Sequence, residues 1–256
     1  MSDHAGKFVW YDVMTTDTKA AEAFYRKVVG WETAEAGTPD DPYTILSIGG
    51  AMIGGLAPIP ESARAMGARP AWMGYIAVDD VDAHAARVQA AGGTIRRAPE
   101  DIPGIGRFAV AADPHRAGFI LFRGNGEQAP PRQPMAPGHI GWHELHAGDR
   151  EADFAFYATL FGWTKAEAID MGPMGLYQLF AAGGPAIGGM MTKMPTAPAP
   201  FWLYYFGVDA INAAAARVTE AGGQIANGPQ EVPGGAWVVQ CFDPQGAMFA
   251  LVAPKR

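Results

Sequence analysis

Two stretches of the chain share one pattern of apolar and polar positions. They read WYDVMTTDTKAAEAFYRKVVGW from Trp10 to Trp31 and WHELHAGDREADFAFYATLFGW from Trp142 to Trp163, 132 positions apart. In each stretch apolar residues first alternate with the period of a strand and then recur with helical spacing up to a glycine. A unit of one strand and one helix is therefore duplicated.

In the first copy, residues 8–14 predict a strand, Asp17 suits the N-cap of the following helix, and Gly30 suits its left-handed end. Alternate residues of a strand point to the same face. The expected face carries a tryptophan and a carboxylate in both copies: Trp10, Asp12 and Met14 in the first, and Trp142, Glu144 and His146 in the second.

Weaker repeats extend the pattern over the rest of each half. Glycine pairs at 49–50 and 54–55 indicate strands joined by tight turns. A strand at 72–78, a helix that stops at 92–93 and strands around Asp113-Pro114 follow, and these motifs recur 130 positions later. Residues 124–138, rich in Pro, Gly and Gln, indicate a linker. We expect an α+β fold with tandem domains at 1–123 and 139–256, each made of paired β-α-β-β-β modules that form a curved, cup-like sheet.

Composition and charge narrow the function classes. The net charge is -7, and no run of Lys or Arg is present that could neutralise phosphates. We therefore expect neither a nucleic-acid nor a membrane partner. The N-terminal residues lack the apolar core of a signal peptide, which favours a cytoplasmic location. We expect a monomer or a homodimer. The single cysteine, Cys241, lies in an apolar strand-like run and is expected to be a buried core thiol.

The order of strand, Asp, helix with Phe-Tyr, Gly stop and closing Asp-Pro strand resembles the vicinal oxygen chelate superfamily of glyoxalases, bleomycin-resistance proteins and extradiol dioxygenases. The resemblance runs from about residue 8 to 252, and is greatest to tandem members labelled glyoxalase-like or hydroxylase. It implies curved sheets that hold a small ligand, often with a divalent metal.

The resemblance also places the family's metal ligands, a His or Gln on a first strand and a Glu on a last strand. These positions are occupied here by residues without a suitable donor: Trp10, Trp142, Met73, Leu203, Ile120 and Ala250. Zinc, magnesium and similar ions require N, O or thiolate ligands. We therefore expect no metal and no other cofactor.

Several residues remain as candidates for chemistry. A carboxylate in a tryptophan-lined cavity suits a general acid or base, so Asp12, Glu144 and His146 are the catalytic candidates. Asp12 and Glu144 could equally serve structure by hydrogen-bonding the cup. His143 and His146 point to opposite strand faces, which does not match the helical HExxH zinc motif. The expected ligand-binding residues are mostly large and apolar: Trp10, Met14, Trp142, Trp72, Trp202 and Tyr204.

Two functions stay open from the sequence. In the first, an aromatic-lined cup binds a small apolar or aromatic molecule without changing it. In the alternative, Glu144 and His146 carry out metal-independent acid–base chemistry such as isomerisation, elimination or cyclisation, since His146 corresponds to Met14 and only one copy has an imidazole. A metal-dependent lyase or dioxygenase is a third possibility.

Overall fold

The computed structural model describes residues 4–126 and 135–256. The first half contains eight strands and three helices in the order β1 Phe8–Thr15, α1 Thr18–Val29, β2 Glu32–Glu35, β3 Thr44–Ile48, β4 Ala51–Pro58, α2 Glu61–Ala65, β5 Ala71–Ala77, α3 Val81–Ala90, β6 Thr94–Ile102, β7 Gly106–Ala112 and β8 Gly118–Gly124. Apart from the short α2, this is the predicted pair of β-α-β-β-β modules.

The second half repeats the order without a counterpart of α2, and it has a single turn of 3-10 helix, Gly172–Met174, between its second and third strands. Its elements are β9 Ile140–Ala147, α4 Arg150–Phe161, β10 Thr164–Asp170, β11 Leu176–Ala181, β12 Ala186–Thr192, β13 Phe201–Gly207, α5 Ile211–Glu220, β14 Gln224–Glu231, β15 Trp237–Phe242 and β16 Met248–Ala253. Strands and helices thus follow each other as the duplicated pattern predicts.

Two eight-stranded sheets result. Their strand orders are β2-β3-β4-β1-β5-β8-β7-β6 and β10-β11-β12-β9-β13-β16-β15-β14. The strand pairs β1–β4, β9–β12, β5–β8 and β13–β16 are parallel. The pairs β2–β3, β3–β4, β6–β7 and β7–β8 and their counterparts in the second half are antiparallel. The predicted α+β fold with two tandem, curved sheets is confirmed. Among the described residues, no helix combines the length and apolarity needed to cross a membrane.

The duplicated helices begin and end as their sequences predict. Asp17 accepts a hydrogen bond from the N–H of Ala20, and Asp149 accepts one from Ala152, so both are N-caps. Gly30 and Gly162 end the helices in the left-handed conformation, with φ of 88° and 71°. This conformation costs a residue other than glycine about 1 kcal/mol or more.

One predicted turn is wrong. Gly54 and Gly55 lie inside β4 and do not break it. A Cβ at Gly54 would be 2.2 Å from the carbonyl oxygen of Tyr11, and one at Gly55 would be 1.9 Å from the Tyr43 hydroxyl. These glycines therefore allow close packing across β4, which is an established use of glycine within a strand.

Contacts between Cα atoms divide the described chain into two compact units, and each unit combines segments of both halves. Unit 1 contains 4–10, 73–126 and 143–202, and unit 2 contains 11–72, 135–142 and 203–256. The domain boundaries at 123 and 139 stay a prediction, and residues 127–134 of the predicted linker lie outside the described residues.

The core of unit 1 contains a buried polar network that explains two sequence motifs. The hydroxyl of Tyr157, from the Phe-Tyr pair of α4, donates to Asp113 Oδ2 at 3.2 Å and accepts from Trp202 Nε1 at 3.0 Å. The other oxygen of Asp113 accepts from the N–H groups of His115 and Ala117. The Asp-Pro turn of the first half is thereby joined to the Phe-Tyr helix of the second.

Unit 2 contains the same network with the halves exchanged. Tyr25 of α1 donates to Asp243 Oδ2 at 3.0 Å and accepts from Trp72 Nε1 at 2.8 Å. Burial raises the pKa of both tyrosines well above the usual value, so each hydroxyl keeps its proton and remains a donor.

Candidate functional site

The strand face that carries the candidate acids and bases forms a hydrogen-bonded cluster in the second half, within unit 1. Glu144 Oε1 lies 2.7 Å from His146 Nε2, and the Tyr177 hydroxyl donates to Glu144 Oε2 at 2.9 Å. The Glu144 and His146 side chains are only 10% and 12% exposed. We call Glu144, His146, Tyr177 and the neighbouring Phe201 the imidazole cluster.

Local sequence explains how the first three of these residues meet. Alternation along β9 puts Glu144 and His146 on the same face, and Gly189 of β12 stands opposite Glu144 in the parallel register. A Cβ at Gly189 would lie 2.2 Å from Cζ of Tyr177. Because that space is open, the Tyr177 ring lies across β12 and its hydroxyl reaches the carboxylate.

The imidazole of His146 is fixed in a second way by stacking. Its ring lies 4.4 Å from the ring of Phe201, with an angle of 9° between the planes. A carboxylate oxygen is an acceptor, so the contact with Glu144 places the proton of the neutral ring on Nε2 and leaves the lone pair on Nδ1. Among the described residues, the imidazole ring of His146 makes one hydrogen bond, to Glu144 through Nε2. Its Nδ1 is therefore available to a ligand.

The first half has a related but simpler arrangement in unit 2. Tyr43 donates to Asp12 Oδ1 at 2.7 Å, and Gly55 stands opposite Asp12 in the register. Asp12 is 2% exposed, and Met14 occupies the position that corresponds to His146. The carboxylate and tyrosine over a glycine are therefore common to both halves, whereas the imidazole is found in one.

The two tyrosines were not among the sequence-predicted site residues. Their signal was present as a repeat with an offset of 134, because Tyr43 and Gly55 correspond to Tyr177 and Gly189. That offset differs from the 132 and 130 of the neighbouring motifs, and Gly55 was assigned to a turn.

Three predicted ligand-binding residues lie in the core. Trp72 and Trp202 are buried and donate their indole N–H to the helix tyrosines described above, while Tyr204 is fully buried and packs edge-on against Tyr11. These are the contacts of packing residues, so we leave the three out of the proposed site.

The other three predicted ligand-binding residues, Trp10, Met14 and Trp142, are half-buried. Trp10 packs against an apolar cluster that includes Tyr75 and Phe108 in unit 1. Their role in binding stays a prediction.

His143 and Cys241 are buried and are therefore poor candidates for acid–base or nucleophilic chemistry. His143 is buried, its Nδ1 is 2.6 Å from the carbonyl oxygen of Ile187, and its ring stacks on Phe8. Burial lowers the pKa of His143 to about 4, so the ring is neutral at pH 7. Cys241 is also buried, and burial raises the pKa of its thiol to about 12, which agrees with a core thiol.

The residues do not fit the divalent metal that the fold family implies. In 4–126 and 135–256, no group of three or more His, Cys, Asp or Glu side chains is arranged to hold an ion. Glu144 and His146 supply two donors, and these are already hydrogen-bonded to each other. We therefore derive no chemical step through a metal.

Comparison with known proteins agrees with the duplicated fold. The model of the Glyoxalase/Bleomycin resistance protein/Dioxygenase superfamily matches residues 7–120 and again 137–251. The chain is 33% identical over 253 residues to "Putative glyoxylase CFP32" of Mycobacterium tuberculosis (strain CDC 1551 / Oshkosh), covering 96% of this chain and 94% of the relative. It is 31% identical over 260 residues to "Anthracycline biosynthesis protein DnrV" of Streptomyces peucetius, covering 96% and 93%.

Solved structures share the fold at low identity. The Mn(II)-bound glyoxalase from Novosphingobium aromaticivorans has a TM-score of 0.65 at 19% identity and covers 98% of this chain and 82% of its own. The 2,3-dioxygenase LapB from Pseudomonas sp. KL28 has a TM-score of 0.66 at 14% identity and covers 98% and 93%. The two-fold family match confirms the resemblance seen in the sequence, and the chain belongs to the glyoxalase/bleomycin resistance protein/dioxygenase superfamily.

Proposed function

We propose that the protein is a metal-independent enzyme that transfers a proton on a small, flat, largely apolar molecule bound at the imidazole cluster. The observation that carries the proposal is the hydrogen bond from His146 Nε2 to Glu144, which leaves Nδ1 free to act as the base. A carboxylate that orients an imidazole and stabilises the imidazolium is a recurring arrangement in acid–base catalysis.

The chemistry requires no co-reactant. His146 Nδ1 accepts a proton from a C–H or O–H group of the substrate, and the resulting imidazolium is stabilised by Glu144. The imidazolium then gives a proton to a different atom of the substrate, so the net reaction is an isomerisation or a cyclisation. Tyr177 holds the second oxygen of Glu144, which keeps the carboxylate aligned with the imidazole.

The ligand class is argued from the surroundings of His146 and from the relatives. Phe201 offers an aromatic face beside the imidazole, and flat aromatic molecules stack favourably on such rings. Two relatives, from Streptomyces peucetius and Streptomyces sp. (strain C5), are named as anthracycline biosynthesis proteins. A flat aromatic molecule is the ligand class that both observations favour.

A second candidate function is binding without turnover. The arrangement in the first half favours it, because Asp12 and Tyr43 repeat the carboxylate and tyrosine while Met14 cannot transfer a proton. The shared carboxylate–tyrosine pair would then recognise a polar group of the ligand in both halves.

Mass spectrometry separates the two functions. Native mass spectra of the purified protein are searched for a retained molecule, and that molecule, or a hydroxyanthraquinone probe, is then incubated with fresh protein in D2O. Proton transfer at carbon incorporates deuterium into a C–H position of the ligand at a rate that depends on the protein, whereas simple binding gives retention without exchange at carbon.

Variants locate the site. We expect Glu144→Gln and His146→Ala to abolish exchange or to weaken binding at least tenfold, about 1.4 kcal/mol, with little change in melting temperature. Asp12→Asn is the matched control and should have a smaller effect. If Glu144→Gln unfolds the protein, or if Asp12→Asn is the more damaging variant, the carboxylate of β9 is structural and the proposal fails.

A further inference from the structure

A second imidazole lies close to the end of β9, and the proposed mechanism does not use it. His115 follows the Asp-Pro turn of the first half, and its Nδ1 lies 2.6 Å from Oδ1 of Asp153 in α4. Asp153 is fully buried, whereas the His115 side chain is 38% exposed. A buried carboxylate is stable when it is paired or hydrogen-bonded, and Asp153 has both kinds of partner.

The other oxygen of Asp153 holds the backbone two residues after His146. Oδ2 accepts a hydrogen bond from the N–H of Gly148 at 2.9 Å. A Cβ at Gly148 would lie 2.4 Å from Cγ of His115, so the imidazole rests directly on this glycine. The end of β9 is thus held by the Asp153 carboxylate and covered by the His115 ring.

The same turn also reaches the other side of His146. Asp113, two residues before His115, binds Tyr157, and Tyr157 binds the indole of Trp202. Phe201, the neighbour of Trp202, stacks on the His146 ring. Both the backbone and the stacking partner of His146 are therefore tied to the turn at residues 113–117.

Comparison of the two halves shows that these features occur together. His146, its stacking partner and the residues that hold the end of β9 are replaced by other residue types at the corresponding positions of unit 2. The pairs, with the residue of unit 1 first, are His146 with Met14, Gly148 with Thr16, Asp153 with Ala21, Phe201 with Ala71, and His115 with Gln245. By contrast, the Asp–Tyr–Trp network is kept in both copies, as a purely structural element would be.

We infer that His115 and Asp153 are positioning residues that hold β9 so that the His146 imidazole keeps its hydrogen bond to Glu144. This inference rests on the proposed role of His146, since it concerns the same site. The hydrogen bond to Asp153 raises the pKa of His115, and the charges of the nearby Asp113 and Asp149 raise it further.

The decisive measurement is the tautomer of the His146 ring, read from its ¹⁵N chemical shifts in protein labelled at histidine. The chain has six histidines, and the His146→Ala variant identifies the signals of His146. In the wild type we expect the neutral ring to carry its proton on Nε2. In His115→Gln we expect a mixture of the two tautomers and, in the exchange assay, kcat reduced about tenfold with KM little changed.

A second variant displaces the imidazole without removing it. Gly148 does not adopt a left-handed conformation, so Gly148→Ala is compatible with the backbone, and its Cβ must push the His115 ring away. We expect the same tautomer mixture as in His115→Gln. The matched control is Thr16→Ala at the corresponding position of the first half, which should leave the His146 signals unchanged.

The possible results separate this inference from the proposed function. If both His115→Gln and Gly148→Ala retain the wild-type tautomer, the positioning role is refuted, whether or not the protein is an enzyme. If the wild type exchanges no proton but the two variants change the tautomer, the positioning role holds and the proposed chemistry fails. If His115→Gln does not fold, Gly148→Ala decides alone.

Discussion

Replacing Tyr157 by Phe removes one hydroxyl from the buried network of unit 1. Two polar groups lose their partner: the indole N–H of Trp202, 3.0 Å from the hydroxyl, and Oδ2 of Asp113, 3.2 Å from it. Both residues are at most 5% exposed, so water does not readily replace the hydroxyl. Leaving a buried donor unsatisfied costs about 1–3 kcal/mol, and losing a hydrogen bond to a carboxyl group costs about 1–2 kcal/mol more.

We therefore expect Tyr157→Phe to lower the free energy of unfolding by about 2–5 kcal/mol, a large part of the ~5–15 kcal/mol that stabilises a typical domain. Urea unfolding followed by tryptophan fluorescence and by circular dichroism measures the change. Tyr25→Phe is the matched variant, since its hydroxyl has the same two kinds of partner, and it should cost a similar amount. A loss below about 0.5 kcal/mol in both variants would contradict the network as described.

Two further predictions concern the site and the pH dependence of stability. Gly189→Ala should displace Tyr177 from Glu144, because the new Cβ would lie 2.2 Å from the tyrosine ring. Ligand binding, measured by fluorescence, should weaken more in this variant than in the control Gly55→Ala. Equal losses in the two variants would contradict a functional site in the second half. Burial and the nearby Asp153 raise the pKa of Asp113 from 3.8 to about 6, so the folded state binds this proton more tightly than the unfolded state and stability falls as pH rises between these values. Asn cannot titrate, so the stability of Asp113→Asn relative to the wild type should improve by up to about 3 kcal/mol from pH 4 to pH 7, as measured by urea unfolding at each pH; a constant difference would show that Asp113 does not titrate in this range.

Much of the fold follows from residues with local preferences. Asp17, Gly30 and their copies fix the ends of the helices through capping and a left-handed turn, which depend on sequence neighbours alone. The face of β9 was also predictable, because strand alternation alone puts Glu144 and His146 side by side.

The contacts that sequence could not supply are those between distant segments. Tyr177 reaches Glu144 only because Gly189 has no side chain to block the tyrosine ring. The sequence alone does not distinguish a glycine within a strand from a glycine in a turn. Trp72 and Trp202 were predicted to bind ligand because large, flat side chains suit a flat or apolar molecule. The structure gives their N–H groups to buried tyrosines, a pairing that depends on chain segments 45 or more positions apart.

Each helix tyrosine finds its aspartate in the opposite half of the chain, and this has a consequence for how such a protein could arise. A single half would contain both the donor and the acceptor but could not join them within itself, so two identical copies would have to exchange them. Covalent fusion of those copies keeps the exchange while encoding each partner separately. Mutations could then accumulate in each half without being imposed on the other, which accounts for an imidazole and its supports that are present in unit 1 and have no counterparts in unit 2.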